Sequence, residues 1–595
     1  MSELSLPGRK ASRWLLCAWA AAALLTLVLT GLGWWDAYPH LEFWRRVENA
    51  LFLALRAFGF DETYDHFNEN GADPRLIIGR WTGLGLVLSA VVAGAIALFR
   101  TQIAAVVAAV RRGHTLVVGD HEMALALVGE AVRRGLDVVH VSAGASEPEM
   151  TGRLITLPRT TGEDLLAAGG GAWARRIVVA ESDLGASIET ALLALNQLAD
   201  PTVGPSRVAV HLDDPIVAER IHHTPGGANL YAFSEAQAAA RAVMLRHPPF
   251  LLARRLGAGA AHILIEGFDN VGQALARDVA LNSLVSDLDP PHLTIIEPRA
   301  EEARKAFAHT HPELGEGGRM VFCEDLDEAG LGEDRPPVCA AYVCLKDSAE
   351  ALSAAISLSE RASRQGHIQG PIFVRLRSGG PLRPAAGVAN LKPRQICSFG
   401  ALADAASSSW ALEDDPDVDA KRVHQVYADV GGFAATPWAE LAEELRVSNR
   451  RVISHVPAKL ASLGFDLEPW LALPDDQRHW PPKLAAGQRL FLGEADRLAA
   501  ARLEHDRWMA DRRVNGWRWG PERDNEKKIQ PYLRPFDDLP EDVQAYDLAI
   551  VDWLATYVAG GEGLGALRRP PAAPAAVSPA KARSRRRGDD IPKSV

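Results

Sequence analysis

Two long uncharged runs open the chain, and short apolar segments alternating with amphipathic ones follow. The first run, 14–35, holds no charged side chain. About 20 apolar residues suffice to cross a bilayer. Trp14, Trp34 and Trp35 stand at its edges, where indoles favour the headgroup zone. The second run, 81–99, is also uncharged and is bracketed by Arg80 and Arg100. Together they predict two membrane-spanning helices, over about 14–35 and 81–99, in a membrane region 1–112. A cleaved signal peptide competes for the first run, with Arg9, Lys10 and Arg13 as its basic start. The run is long for a signal core and lacks a clean small-x-small site before Trp34, which favours an uncleaved span.

Two spans leave both chain ends on one side. Arg45, Arg46, Arg56 and Arg75 lie in the intervening loop, so the positive-inside signal is weak. The large polar remainder, with its nucleotide-type pattern, decides the orientation. The expectation is a multi-pass inner-membrane protein with both termini cytoplasmic and the lipid bilayer as a partner. Within the loop, 47–58 reads as a short re-entrant or interfacial helix. Two spans around a short helix is also the plan of an oligomeric cation pore, a tetramer by preference. A TVGYG-type potassium filter is missing from the sequence. Asp61, Glu62, Asp65, Glu69 and Asp73 form an acidic run that either attracts cations or is a solvated loop.

Beyond residue 112 the pattern becomes strand, glycine, helix, strand, and it occurs twice. His114, Gly119 and Leu127 align with His262, Gly267 and Leu275 at a constant offset. Further on, 208–215 matches 372–379, and 232–234 matches 398–400. Such self-similarity marks an internal duplication of a βαβ domain. In this unit the first glycine permits a tight turn, and the helix start offers free N–H groups to a pyrophosphate. A late acid then holds a ribose. The first copy has lost this chemistry: Asp120 and Glu122 repel phosphate, and strand two ends at Val141-Ser142 without an acid. It reads as a structural copy. The second keeps Gly267 and Gly272, places Asp269 at the middle position and ends its second strand at Glu297. Those four residues are the candidate nucleotide site, for NAD or another nucleotide, with Asp269 opposing close phosphate approach.

The order of these elements resembles the RCK or KTN regulatory lobes of potassium-transport gating proteins. Thr161-Gly162-Glu163-Asp164 and the run from Ala174 to Asp183 carry the likeness, which covers roughly 112–410. It implies an α/β fold of two doubly wound Rossmann-type lobes, 113–250 and 260–405, and gating by a nucleotide rather than hydride transfer. Pro158-Arg159 stand where that family usually has Gly-Asp.

A polar, acidic stretch, 407–419, reads as a linker to a mainly helical module over 421–558. Its second half holds Glu504, His505, Trp508, Trp517, Trp519 and Asp524 among many basic residues. Unpaired charge is costly to bury, so this string is expected at a surface or against a partner. Aromatic faces beside cations suit a planar, anionic ligand. The candidate ligand residues are Asn449, Arg450, His505, Trp508, Trp517, Arg518, Trp519, Arg523 and Lys527. Glu504 orients His505 or pairs with Arg507. If 517–519 is extended, Trp517 and Trp519 face one side and Arg518 the other. Glu504-His505-x-x-Trp508, the run from Gly516 to Gly520, Asp524 to Lys528 and the turn from Pro535 to Pro540 resemble the ryanodine-receptor-type (RyR) repeat domain. The resemblance implies two related halves with a groove between them.

Composition narrows the picture. At 595 residues three or four domains are expected. A net charge of −11 argues against a general nucleic-acid binder. Cys17, Cys323, Cys339, Cys344 and Cys397 form no CxxC pair, so neither a metal nor a disulfide framework is indicated. The basic tail, 559–595, reads as disordered. The functional expectation is a ligand-sensing, channel-like oligomer without catalytic residues. A membrane-tethered NAD-dependent oxidoreductase or epimerase is the alternative. It needs a Tyr-x-x-x-Lys pair, and Tyr342 and Lys346 have that spacing but sit on a predicted buried strand. A scaffold without ligand is the third reading.

Overall fold

The computed structural model describes residues 8–59, 73–159, 163–197, 207–214, 217–218, 230–311, 319–332, 335–379, 382, 388–431, 436–473, 480, 482–484 and 489–559. The side chains of Arg9, Lys10, Arg13 and Trp14, the acidic residues 61–69, Thr161, Gly162 and the tail 560–595 lie outside the described residues. Contacts divide the chain into two units, Met1–Val107 with Glu147–Thr151, and the remainder.

The first unit holds α1 (Gly8–Ala37), α2 (Phe43–Arg56) and most of α3 (Pro74–Val110). Within them, Cys17–Ala37 and Pro74–Ile96 are long and apolar enough to cross a membrane, with mean hydropathy 1.7 and 1.8. The second apolar stretch thus begins earlier than residue 81. Arg75 does not stop it, because Asp73 and Asp36 answer its charge at 2.6 and 2.7 Å. Small residues let α1 and α3 approach closely, as in membrane helix pairs. A Cβ on Gly79 would lie 2.0 Å from Thr30 Cγ2 of α1, and one on Gly83 would lie 2.3 Å from the Ala57 carbonyl oxygen at the end of α2. Thr26 and Thr82 join hydroxyls at 3.0 Å across the pair. Leu24, Leu25, Val28, Leu88, Val91 and Ile96 point outward and are exposed.

The second unit contains both lobes and the C-terminal module. In the first lobe, β1 (Thr115–Val118), β2 (Val138–Ser142), β3 (Leu154–Pro158), β4 (Arg176–Val179), β5 (Val208–His211) and β6 (Leu230–Phe233) are parallel, in the order β3-β2-β1-β4-β5-β6. In the second, β7 (Ala260–Glu266), β8 (Asp289–Ile296), β9 (Met320–Cys323), β10 (Val338–Val343), β11 (Ile372–Arg375) and β12 (Ile396–Phe399) repeat it as β9-β8-β7-β10-β11-β12. Helices on both faces bury such strands, which explains why TLVV and VCAAYV are continuous apolar runs. The strand order reverses beside β1 and β7, and in open parallel sheets the crevice at that point is the ligand position. Helices α4 (Glu122–Arg133) and α6 (Asn270–Asn282) start there, while α5 (Glu235–Arg246) packs on α6 between the lobes.

The expected linker is a docked strap. It begins at the end of α7 (Leu402–Ser408). Ala411 and Leu412 then insert into the first-lobe core. Asp414 receives Arg175 at 2.8 Å and Arg176 at 2.5 Å, and Glu413 receives Arg134 at 2.7 Å. Its acidic residues serve paired arginines of the lobe, so polarity alone misled the reading.

The module comprises α8 (Val418–Gly431), α9 (Glu443–Ser454), α10 (Val456–Ser462), α11 (Glu494–Val514) and α12 (Glu541–Tyr557). Both halves share one core, which also takes in Phe250 and Val285 of the second lobe. His455 Nε2 meets the Leu284 carbonyl at 2.9 Å across that seam.

Candidate functional site

Gly267, Asp269, Gly272 and Glu297 come together at the carboxyl end of β7. Gly267 has φ +87°, and a Cβ on Gly272 would lie 2.5 Å from the Gly267 carbonyl oxygen. Only glycine fits that close helix-to-strand approach. The helix start is not open, however. Asp269 caps α6, accepting from the amides of Val271 at 2.9 Å and Gly272 at 3.2 Å. Its other oxygen receives Arg375 Nη1 at 2.8 Å. Glu297 accepts from the Phe268 amide at 3.0 Å. Asp269 therefore fills the place a pyrophosphate would take, and Glu297 braces the turn.

Arg375 belongs to a chain of charges between the lobes. It reaches Glu235 at 3.3 Å, and Arg377 binds Glu235 and Glu122 at 2.8 Å each. The first-lobe turn is self-satisfied in another way. Asp120 accepts from the Ser142 hydroxyl and, at 2.9 Å, from the Ala143 amide. Burial opposes its charge, but those donors hold its carboxyl below the usual range. Arg159 pairs with buried Glu181 at 2.8 Å. Burial nevertheless pushes the Glu181 carboxyl up.

In the C-terminal string the structure corrects the expectation of surface charge. Lys459, Glu504 and Arg507 are each at most 1% exposed. Glu504 receives Lys459 Nζ and Arg507 Nη2 at 2.6 Å each. The charges meet each other inside. His505 is buried as well, with Nδ1 3.0 Å from Asp547 and Nε2 2.9 Å from the Arg534 carbonyl. Burial works against its charge, yet Asp547 more than offsets this and raises His505 above its ordinary value. Trp508 stacks on His505 at 5.3 Å.

Trp517 is buried and donates its indole N–H to Glu444 at 2.5 Å. Trp519 is 62% exposed. The two indoles thus do not share a side. The reason is local: Gly516 has φ +80° and the Trp517 amide bonds back to the Arg512 carbonyl at 3.0 Å. This closes α11 in the left-handed manner that glycine supports, so Trp517 belongs to the helix end and not to an extended run. Arg518, Arg523 and Lys527 are exposed near Trp519 in sequence. Arg523 meets Asn525 at 2.9 Å and Lys527 meets Asp524 at 3.2 Å. The expected groove between the halves is filled: Arg512 binds Glu444 at 2.9 Å, and Arg451 binds Asp511. Asn449 is buried, and Arg450 grips Asp417 with bonds of 2.6 and 3.0 Å. The predicted ligand residues therefore occupy several places: a core, a helix closure and an exposed turn.

Sequence reasoning missed a cavity of about 210 Å³ where both lobes and the module meet. Tyr231, Phe233 and Arg241 come from the first lobe, Arg277 and Asp278 from the second, and Arg450, Arg451 and Trp480 from the module. Trp410, on the strap, completes the wall with a left-handed backbone at φ +60°. Such a conformation in a bulky residue costs about 1–3 kcal/mol and persists only where the surroundings impose it. Arg241 lies 4.0 Å over the Trp410 ring and donates to the Ser408 carbonyl at 2.9 Å. Burial pushes the Asp278 carboxyl up, against the pull of Arg241, Arg277 and Arg451. Three lining atoms, Asn282 Oδ1, Ser283 Oγ and Trp480 Nε1, are buried without a hydrogen-bond partner among the described residues. Of the residues singled out from sequence, Arg450 alone lines the cavity. The others converge from distant segments, and no spacing rule joins them.

Residues 495–561 match the RyR domain family model. No curated protein matches the chain by sequence. Among solved structures, a GsuK mutant is similar at 15% identity and TM-score 0.30, covering 67% of this chain and 98% of that one. GsuK bound to ADP is similar at 13% identity and TM-score 0.29, covering 67% and 99%. The GsuK channel bound to NAD is similar at 13% identity and TM-score 0.31, covering 68% and 82%.

Proposed function

With a RyR domain at 495–561 packed onto two parallel α/β lobes as the premise, we propose that this chain is a ligand-sensing, channel-like membrane protein. A nucleotide-type anion binds the cytosolic region and shifts the state of an oligomeric two-span domain. One observation carries the reading: the arginine-lined cavity where the three domains converge. Arg241 and Arg277 supply cationic donors, and Tyr231, Trp410 and Trp480 supply aromatic surface, a pairing suited to phosphate and base together. An occupant there touches every cytosolic domain at once. It biases their arrangement by the difference in its affinity for the two states. Helix α3 ends at Val110, shortly before β1 begins at Thr115, so a lobe movement is passed along a short connection. Two spans enclose no pore alone; a homo-oligomer, by preference a tetramer, is required.

The oxidoreductase alternative loses its dyad. Tyr342 lies on β10, is wholly buried and stacks on Phe373 at 5.0 Å. Burial raises its hydroxyl well above the ordinary value, which unsuits it to acid–base work.

The test uses the full chain in detergent, with ADP and NAD as probes. A ligand at 100 times its Kd stabilises by about 2.7 kcal/mol, so a saturable rise in melting temperature is expected. Arg277→Gln is expected to abolish the rise without lowering the unliganded melting temperature by more than a few degrees. Ion flux in liposomes should then respond to the same nucleotide. An unchanged response in Arg277→Gln overturns the cavity assignment. Strictly monomeric protein overturns the pore.

A further inference from the structure

The first lobe holds a second cluster that the sensing role does not use. His121 follows the β1 turn, His211 ends β5, and Asp213 lies just beyond. All three stand at the carboxyl edge of the sheet, the edge on which parallel sheets place their ligands. His121 Nε2 and His211 Nε2 each lie 3.7 Å from the same Asp213 oxygen. The two imidazoles approach with ring centroids 4.6 Å apart. One donor atom from each residue falls within 4.8 Å of the others. His211 is only 2% exposed, and its Nε2 has no hydrogen-bond partner among the described residues. A buried imidazole nitrogen facing another histidine and a carboxylate lacks an explanation in packing alone.

We propose that His121, His211 and Asp213 form a three-ligand site for a divalent transition-metal ion, zinc by its donor set, with the fourth position open to water or an external ligand. Zinc takes imidazole nitrogen and carboxylate oxygen at about 2.0–2.2 Å in a tetrahedron, which sets neighbouring donors about 3.4 Å apart. The 3.7 Å separations from Asp213 need a contraction of a few tenths of an ångström, and the two histidine nitrogens, which lie within 4.8 Å of each other, must close toward the same spacing by a turn of the less buried His121 ring. Asp213 shortens its own two distances by rotation, because its side chain is 70% exposed. One local bond is exchanged. His121 Nδ1 now accepts from the Met123 amide at 3.1 Å; ligation through Nε2 moves the ring proton to Nδ1 and gives up that cap. Arg377, whose charge reaches His211, is answered by Glu235 and Glu122 and does not stand as an unbalanced cation. The Asp213 carbonyl also accepts from Asn270 Nδ2 of the second lobe at 3.1 Å. Ion binding at Asp213 therefore fixes the loop that ties the two lobes, which makes the site a stiffener of the lobe seam.

The experiment uses untagged full chain in detergent, stripped with chelator and titrated with zinc by calorimetry, then with cobalt(II) by absorption. One zinc per chain and a tetrahedral cobalt spectrum without a thiolate charge-transfer band are expected. Asp213→Asn, exposed and harmless to folding, is expected to weaken zinc at least about 10-fold. His211→Gln is expected to weaken it about 100-fold or more. Absence of stoichiometric zinc in the wild-type chain overturns the proposal. So does wild-type affinity in Asp213→Asn, or a cobalt spectrum showing sulfur ligation. Should His211→Gln fail to fold, Asp213→Asn and His121→Gln decide alone, and either binding as wild type refutes the site.

Discussion

The buried triad of Lys459, Glu504 and Arg507 makes the sharpest claim about the module. One carboxylate serves two cations, all at most 1% exposed, at 2.6 Å on each side. Replacing Glu504 by Gln keeps the shape and removes the only anion of the triad. Breaking a buried pair by deleting one partner costs about 3–5 kcal/mol, since uncompensated charge remains. Lys459→Met should behave differently. It leaves Glu504 with Arg507 as a balanced pair, and burial already lowers the Lys459 amine below its ordinary value against the pull of Glu504. Its cost is expected to stay under about 1.5 kcal/mol, in the range of volume-conserving changes. The double variant should recover part of the Glu504→Gln loss. Amide exchange along α11 in the full chain reads this directly, because local opening free energy sets the rate. At tenfold per 1.4 kcal/mol, Glu504→Gln should speed exchange roughly 100- to 4000-fold and Lys459→Met about tenfold at most. The acid limb carries the same sign. Burial opposes the Glu504 charge, but Arg507 and Lys459 hold its carboxyl down to about 2, against an ordinary 4.5. A depressed carboxyl contributes stability that is full above pH 4.5 and is lost as pH falls toward about 2. Glu504→Gln should flatten that part of the profile. Protection of α11 within about 1 kcal/mol of wild type in Glu504→Gln would refute the closed triad.

Other consequences are simpler to measure. Asp269→Gly should cost roughly a few tenths of a kcal/mol at the α6 cap and release Arg375; phosphate, titrated by calorimetry, should then bind where wild type shows no heat. Trp517→Ala should lower module stability by about 3–5 kcal/mol, while Trp519→Ala should stay within about 0.5 kcal/mol; equal losses in denaturant titrations would contradict their different burial. Gly79→Leu should separate α1 from α3, since even a Cβ there meets Thr30 Cγ2 at 2.0 Å; cross-linking of cysteines placed at Thr26 and Thr82 would report it.

Local pattern was legible where one segment determines its own shape. The glycine turn at Gly267, the repeated strands and the long apolar runs all follow from period, length and composition. So do the matching ends of the lobes, where 208–211 and 372–375 form equivalent strands. What failed depended on a partner from elsewhere in the chain. Lys459 lies far before Glu504 in sequence, so the string around Glu504 looked like surface when its charge is matched inside. The strap at 407–419 looked like a linker because Arg134, Arg175 and Arg176, which its acids serve, are first-lobe residues. Trp517 was set on one face with Trp519 because period two was extended across Gly516, the residue whose positive φ ends it.

The same dependence on distant partners bears on where an anion fits. Both turns that could cradle a phosphate carry their own carboxylate, Asp120 in the first lobe and Asp269 in the second, and each is fully engaged with protein donors. A phosphate entering either turn must displace a charge of its own sign that is already hydrogen-bonded. The junction cavity differs: Arg241 and Arg277 line it beside Asp278, and Arg450 and Arg451 on its wall are held by Asp417 and Asp511. Filled turns and a cationic junction together favour the proposed junction site over either turn. Arg277→Gln should therefore abolish nucleotide stabilisation while Gly267→Ala, strained at φ +87°, lowers stability without changing nucleotide affinity; the opposite pattern would return the ligand to the second-lobe turn.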